Sequence, residues 1–154
     1  MRLSDILKPE YIKVPLEAKE KKQAITELIN LLGSTGQITD VQAVTRAVME
    51  REAVRSTGVG QGFAIPHGKT TTVSRLVITI GKPSEPVDFE SVDSKPVGLI
   101  ILLVSPLDQT GPHIQALAQI SRLMTDHSCR EKLWAANTAD QMYDTIANYE
   151  NNSL

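Results

Sequence analysis

Apolar residues recur at helical spacing over residues 17–32, "EAKEKKQAITELINLL", where Ala24, Ile25, Leu28, Leu31 and Leu32 share a face. Gly33 and Gly36 follow as closing residues. A second helix is predicted over 39–53, with Val41, Val44, Ala47 and Val48 on one side and a capping box of Thr39 with Gln42 at its start. A short apolar run, 63–65, is ended by Pro66. The β-branched run 76–80 reads as a strand stopped by Gly81 and Pro83. "EPVDFESVDSKP" has the polar turn residues of a loop. Residues 97–105 are almost wholly apolar, which suits a strand covered on both faces.

A third helix is predicted over 111–124, with Pro112 at its first position and Ile114, Leu117, Ala118, Ser121 and Met124 on one side. Capping boxes of Ser128 with Glu131 and Thr138 with Gln141 open shorter helices over 129–136 and 139–149. "NYENNSL" reads as a frayed tail. No internal repeat or linker interrupts the chain, so residues 1–154 are expected to form one α/β domain, a sheet flanked by helices.

Composition narrows the function classes. The 154 residues are 41% hydrophobic and 22% charged, as in ordinary globular domains. Only 4% are aromatic, so the core rests on Ile, Leu, Val and Ala. A net charge of −2 leaves no basic footprint for nucleic acid. No apolar run reaches the length of a membrane span, and "MRLSDILKPEYIKV" lacks the apolar centre of a secretion signal. A single cysteine, Cys129, excludes an internal disulfide and a cysteine-rich zinc site. A cytoplasmic location is expected.

Candidate chemistry gathers at "GVGQGFAIPHGKT". Gly58, Gly60 and Gly62 have the wrong spacing and context for a dinucleotide loop, and a tight turn accounts for them. Gly68-Lys69-Thr70 lacks the pattern that precedes a phosphate loop. His67, His113 and His127 show no close helical ligand spacing for a metal. No Gly-x-Ser-x-Gly elbow supports a serine hydrolase. His127 reads as a surface residue beside a helix start. His113 follows Gly-Pro at a helix start, where the dipole favours an anion, although a polar residue without a task fits that position equally well. Arg51 ends the second helix and could simply pair with a nearby Glu. Cys129 lies just inside a helix start and reads as a small packing residue.

Together, "REAVRSTGVGQGFAIPHGK" and "PHIQALAQISRLM" closely resemble the type-2 enzyme IIA domains of the bacterial phosphoenolpyruvate-dependent phosphotransferase system, the fructose, mannitol and nitrogen-regulatory group. The resemblance runs from "LSDIL" to about residue 146, with Ile114 standing where many members have Leu. It implies a mixed β-sheet with helices on both sides. It also implies that His67 accepts a phosphoryl group on Nε2, that His113 is the second active-site histidine, and that Arg51 is the active-site arginine. The implied donor is the phosphohistidine of HPr or its nitrogen-branch counterpart, and the implied acceptor is an enzyme IIB cysteine. No cofactor or metal is implied. The alternative is a nitrogen-regulatory member that controls partner proteins without passing phosphate to sugar. "STGVGQGFAIPHGK" and "LDQTGPHIQAL" resemble those members somewhat more closely, and no IIB or membrane domain is fused within the 154 residues.

The residue types suit that chemistry. A neutral imidazole is nucleophilic near pH 7. A loose phosphoryl transition state spreads charge over equatorial oxygens, which a guanidinium fork can meet. Water must be excluded during transfer, a task for the docked partner.

Overall fold

The computed structural model describes residues 1–152. Six helices surround one mixed six-stranded sheet. The helices are α1 (Leu3–Ile6), α2 (Lys21–Ser34), α3 (Val41–Val54), α4 (Thr110–Thr125), α5 (His127–Ala135) and α6 (Ala139–Asn152). The strands are β1 (Ile12–Leu16), β2 (Gly58–Gly60), β3 (Phe63–Ala64), β4 (His67–Lys69), β5 (Val77–Pro83) and β6 (Leu99–Ser105).

β6 is the axis of the sheet. All seven of its residues are buried, which explains its continuous apolar run. β5 lies antiparallel on one side, with Ile78 opposite Leu103, and β1 runs parallel beyond it. β3 and β4 lie parallel along the other side, and β2 is antiparallel to β3. Strand alternation divides the core into two layers. Leu99, Ile101 and Leu103 face α4, α5 and α6, whereas Ile100, Leu102 and Val104 face α2 and α3. The expected architecture, one domain with helices on both sides of a mixed sheet, is what the chain adopts.

Several local expectations need correction. Pro66 does not end the strand course. Phe63 pairs with Leu99 and His67 with Leu103, so the register against β6 is unchanged across the proline. Pro66 keeps its carbonyl in the ladder, accepting from Leu103 N–H at 3.0 Å, and lacks only the N–H to return. β5 continues past Gly81 because β1 pairs beside it, and the missing side chain is what permits this. A Cβ at Gly81 would lie 2.5 Å from Leu16 Cδ1.

α4 begins at Thr110, so Pro112 is its third residue, still within the first turn where its missing N–H costs nothing. Its inner face is His113, Ala116, Ile120, Leu123 and Met124, while Ile114 is 59% exposed and Ala118 and Ser121 face solvent. Residues 17–20 precede α2, and the Glu27 carboxylate accepts from the Glu17 and Ala18 amides there. Gly36, at φ +78°, ends α2; Gln37 N–H bonds back to Leu32 and Gly36 N–H to Gly33, a Schellman closure that places Gly33 inside the helix.

Asp40 and Asp126 cap α3 and α5 in place of Thr39 and Ser128, since their carboxylates reach the Ala43 and Cys129 amides at 2.9 and 2.8 Å. Thr138 and Gln141 do cap α6: Gln141 N–H reaches Thr138 Oγ1 at 3.1 Å. Residues expected in the frayed tail are helical to Asn152, and 153–154 lie outside the described residues.

Candidate functional site

His67 opens strand β4 and is half-buried, because the chain keeps its β6 pairing through Pro66 and does not end its strand course there. Its side chain shares the sheet face of Phe63 and Ile65, toward α4, by strand alternation. Gly68 turns the other way and lets α3 come in: a Cβ there would meet Val48 N at 3.0 Å.

The imidazole is fixed by the backbone. His67 Nδ1 lies 2.8 Å from the Ile65 carbonyl oxygen. A carbonyl only accepts, so Nδ1 carries the proton and Nε2 bears the lone pair in the neutral ring. Nε2 has no hydrogen-bond partner among the described residues and is not among the buried orphan atoms, so it opens to solvent.

His113 projects from the first turn of α4 toward this ring. It is 4% exposed. The two ring centroids are 5.3 Å apart with planes at 63°. His113 Nδ1 is 2.7 Å from Ser105 Oγ at the end of β6.

Arg51 lies in the last turn of α3 and, among the described residues, forms no ion pair with a Glu. Its Nη1 donates to the Arg55 carbonyl at 2.9 Å, and among the described residues the other guanidinium donors have no partner. Arg51 and His67 line one depression of about 360 Å³, walled also by Arg55, Gly58 and Leu117.

The backbone between them is pinned by Glu52. This carboxylate is 7% exposed, accepts from the Thr57 amide at 2.8 Å and from the Thr57 hydroxyl, and pairs with Lys21 Nζ at 2.8 Å. Beyond it, Gly60, Gln61 and Gly62 all take positive φ, a turn that two glycines make accessible. Gly58 packs so closely on Ser91 that a Cβ would come within 2.1 Å of its Oγ. Tight turning and close packing therefore account for the glycine-rich stretch.

The surroundings disfavour the charged form of both rings. Burial lowers the pKa of His67 from its ordinary value; the Ile65 carbonyl and Glu52 oppose this, and Arg51 and Lys69 add to it. Burial, aided by the charges of His67 and Lys69, pushes His113 down to about 4. At neutral pH this yields an unprotonated nucleophilic nitrogen beside a second neutral ring and a guanidinium, a set of groups suited to receiving an anionic electrophile.

The third histidine stands apart. His127 is exposed at the start of α5, with Nδ1 3.3 Å from Arg130 Nη2. Among the described residues, no group of three or more His, Cys, Asp or Glu converges as a metal site. Cys129 is buried in the core. Burial and Asp126 push its thiol up to about 11, outweighing any help from the helix start.

Three contributors escaped the sequence reading. Lys69 lies two residues along the strand from His67, hence on the same face, and reaches Thr110 Oγ1 at 3.3 Å. Period-two spacing from His67 was the signal for it. Glu52 is adjacent to Arg51, and a Glu on the buried side of a helix was its only cue. Ser105 closes an apolar strand, and nothing in its neighbourhood marks it.

The sequence model of the family described as "Phosphoenolpyruvate-dependent sugar phosphotransferase system, EIIA 2" matches residues 5–149. A nitrogen regulatory protein of Bradyrhizobium diazoefficiens is 37% identical over 148 residues, covering 96% of this chain and 95% of that one. The fructose-specific EIIABC component of Bacillus subtilis is 33% identical over 97% of this chain, which spans only 24% of that longer protein. Among solved structures, the nitrogen regulatory protein IIA-Ntr of Neisseria meningitidis superposes with a TM-score of 0.87 at 31% identity, covering 94% of this chain and 98% of that one. Among the described residues no helix is long and apolar enough to cross a membrane. The match over nearly the whole sequence, on a fold shared with solved IIA domains, places this chain in the EIIA type-2 family of the phosphotransferase system.

Proposed function

We propose that this chain is a phosphocarrier: His67 Nε2 accepts a phosphoryl group from the phosphohistidine of an HPr-like carrier and passes it to an enzyme IIB cysteine in sugar uptake. The observation that carries this reading is the 2.8 Å contact from His67 Nδ1 to the Ile65 carbonyl, which leaves Nε2 as the free nucleophile. In the forward step the Nε2 lone pair forms the new N–P bond while the donor's N–P bond breaks, and the donor imidazole leaves with that electron pair. The doubly substituted His67 ring gains positive character, which the Ile65 carbonyl stabilises through Nδ1–H. Arg51 offers its unused guanidinium donors to the phosphoryl oxygens, and Lys69 adds positive charge. His113 supplies a further hydrogen bond. Each acts where negative charge spreads in a loose transition state.

A second reading has a specific support. Relatives matched along almost their full length include the Bradyrhizobium nitrogen regulatory protein at 37% identity. In that reading the same phosphorylation of His67 sets which regulatory targets the chain binds, without onward transfer.

Incubation with phosphoenolpyruvate, enzyme I and HPr or its nitrogen-branch counterpart should add one phosphoryl group per chain, labile in acid and stable in base. Peptide mapping under non-acidic conditions should place it on the segment containing His67. A folded His67→Ala protein that still takes phosphate at the wild-type rate would overturn the assignment. A chase with phosphate-free enzyme IIB then separates the readings: discharge to a IIB cysteine supports transport, and retention against every IIB of the source cell supports regulation.

A further inference from the structure

We propose that Ser105 is a positioning residue for phosphotransfer: its hydroxyl donates to His113 Nδ1 and so holds His113 as the Nε2–H tautomer, with that N–H presented to the phosphoryl group on His67. The inference deepens the phosphocarrier reading and rests on it.

The argument is one of donor accounting in a dry place. Ser105 is fully buried at the C-terminal end of β6. Among the described residues its Oγ has one hydrogen-bond partner, His113 Nδ1 at 2.7 Å. Its own backbone carbonyl is already occupied by the Thr70 amide at 3.0 Å. The hydroxyl proton therefore has one acceptor to go to. Were the direction reversed, with Nδ1–H donating to Oγ, the hydroxyl proton would be left buried and unpaired, the costlier arrangement. With Ser105 as donor, Nδ1 is the accepting nitrogen and the ring proton must sit on Nε2. That nitrogen has no partner among the described residues and is not a buried orphan atom, so the slight exposure of His113 opens it to the site.

The two histidines are then set in opposite tautomers by different means. The Ile65 carbonyl makes His67 an Nδ1–H ring with a nucleophilic Nε2. The Ser105 hydroxyl makes His113 an Nε2–H ring with a donor. One ring supplies the lone pair that takes the phosphoryl group, and its neighbour, 5.3 Å away between centroids, supplies a hydrogen bond to it. Neither ring can exchange roles without leaving a buried polar atom unpaired.

Long-range proton–nitrogen NMR spectra of the histidine rings in the wild-type protein at pH 7.5 test the assignment without any substitution. His113 should show a pyridine-type Nδ1 and a pyrrole-type Nε2, and His67 the reverse. In S105A the two His113 nitrogen shifts should move toward each other as the Nδ1–H form enters. Transfer to His67 should slow about 5-fold, and S105T, which keeps the hydroxyl, should restore both. A wild-type His113 in the Nδ1–H form overturns the proposal, as do unchanged shifts and rate in S105A. If the tautomers are as expected but phosphate never reaches His67, it is the phosphocarrier reading that fails, and the role of Ser105 in transfer fails with it.

Discussion

His113→Asn should change how stability depends on pH, by an amount the structure allows to be worked out. Burial first, and then the charges of His67 and Lys69, push the pKa of His113 down to about 4, against an unfolded value of about 6.5. The unfolded chain therefore binds this proton more readily than the folded one. The stability held by the neutral ring is complete above the unfolded value and is lost as pH falls toward the folded one. Linkage puts the loss at about 2 kcal/mol between pH 7 and 5, and at about 3 kcal/mol by pH 4. Asparagine cannot titrate, and its Oδ1 can take the place of Nδ1 as acceptor for Ser105. Any constant cost of the smaller side chain cancels, because only the change with pH matters. Carboxylates such as Glu27 titrate in both proteins and cancel as well. The single tryptophan, Trp134, stacks on Phe63 at 4.9 Å between centroids and supplies the fluorescence signal for urea unfolding at each pH. The stability advantage of wild type over His113→Asn should shrink by about 2 kcal/mol from pH 7 to 5. Parallel curves across that interval would show that His113 is not held neutral by its surroundings.

Arg51→Lys keeps the charge but loses the fork that reaches Arg55 O while leaving donors free; phosphoryl acceptance by His67 should slow roughly 10- to 150-fold in single-turnover kinetics with normal folding, and wild-type rates would remove Arg51 from the site. Gly68→Ala places a methyl 3.0 Å from Val48 N and 3.1 Å from Ala47 C, backbone atoms that cannot step aside; it should cost about 1–3 kcal/mol in urea unfolding, and no loss would mean that β4 and α3 are less closely apposed. Glu52→Gln removes the charge facing Lys21 while keeping a hydrogen-bond acceptor for Thr57; a loss of about 1–3 kcal/mol is expected in the same assay, and unchanged stability would show that the pair is dispensable.

Much of the fold was legible because its strongest elements repeat one physical signal many times. α2, α3 and β6 each bury several apolar side chains at their own period, and all were found within a few residues of their bounds. β1 has only five residues, and its burial is unremarkable until β5 lies beside it. The lengthening of β5 past Gly81 has the same cause: a glycine that would end an isolated strand is required where Leu16 and Leu28 crowd the backbone. The face of α4 was misread for a different reason. Ile114, Leu117 and Ala118 lie along one side of α4, and Ala116, Ile120 and Leu123 along another at the same helical spacing, with Met124 within reach of either. Counting apolar residues does not separate the two; the second is the one packed into the core, and it brings His113 against Ser105.

That choice of face also divides what the sequence could say about the site from what it could not. Side chains with distinctive chemistry stood out singly: Arg51, His67 and His113 were each identifiable, and the fold brings the two histidines side by side and sets Arg51 and His67 on one depression. What tunes them did not stand out, because tuning here is done by groups with no signature of their own. The Ile65 carbonyl is a group every residue possesses, and it acts on His67 only because Pro66 keeps the strand in register while the ring folds back over two residues. Ser105 lies eight positions from His113 across a turn, where no helix or strand period would pair them. Glu52 works through Thr57, five residues on, by holding the end of α3 against the glycine turn. An isolated Pro-His-Gly segment would let the imidazole protonate near pH 6.5 and choose either tautomer. Burial and the Ile65 carbonyl remove that freedom, so the tautomer and charge of the His67 ring are properties of the folded surroundings and not of the motif.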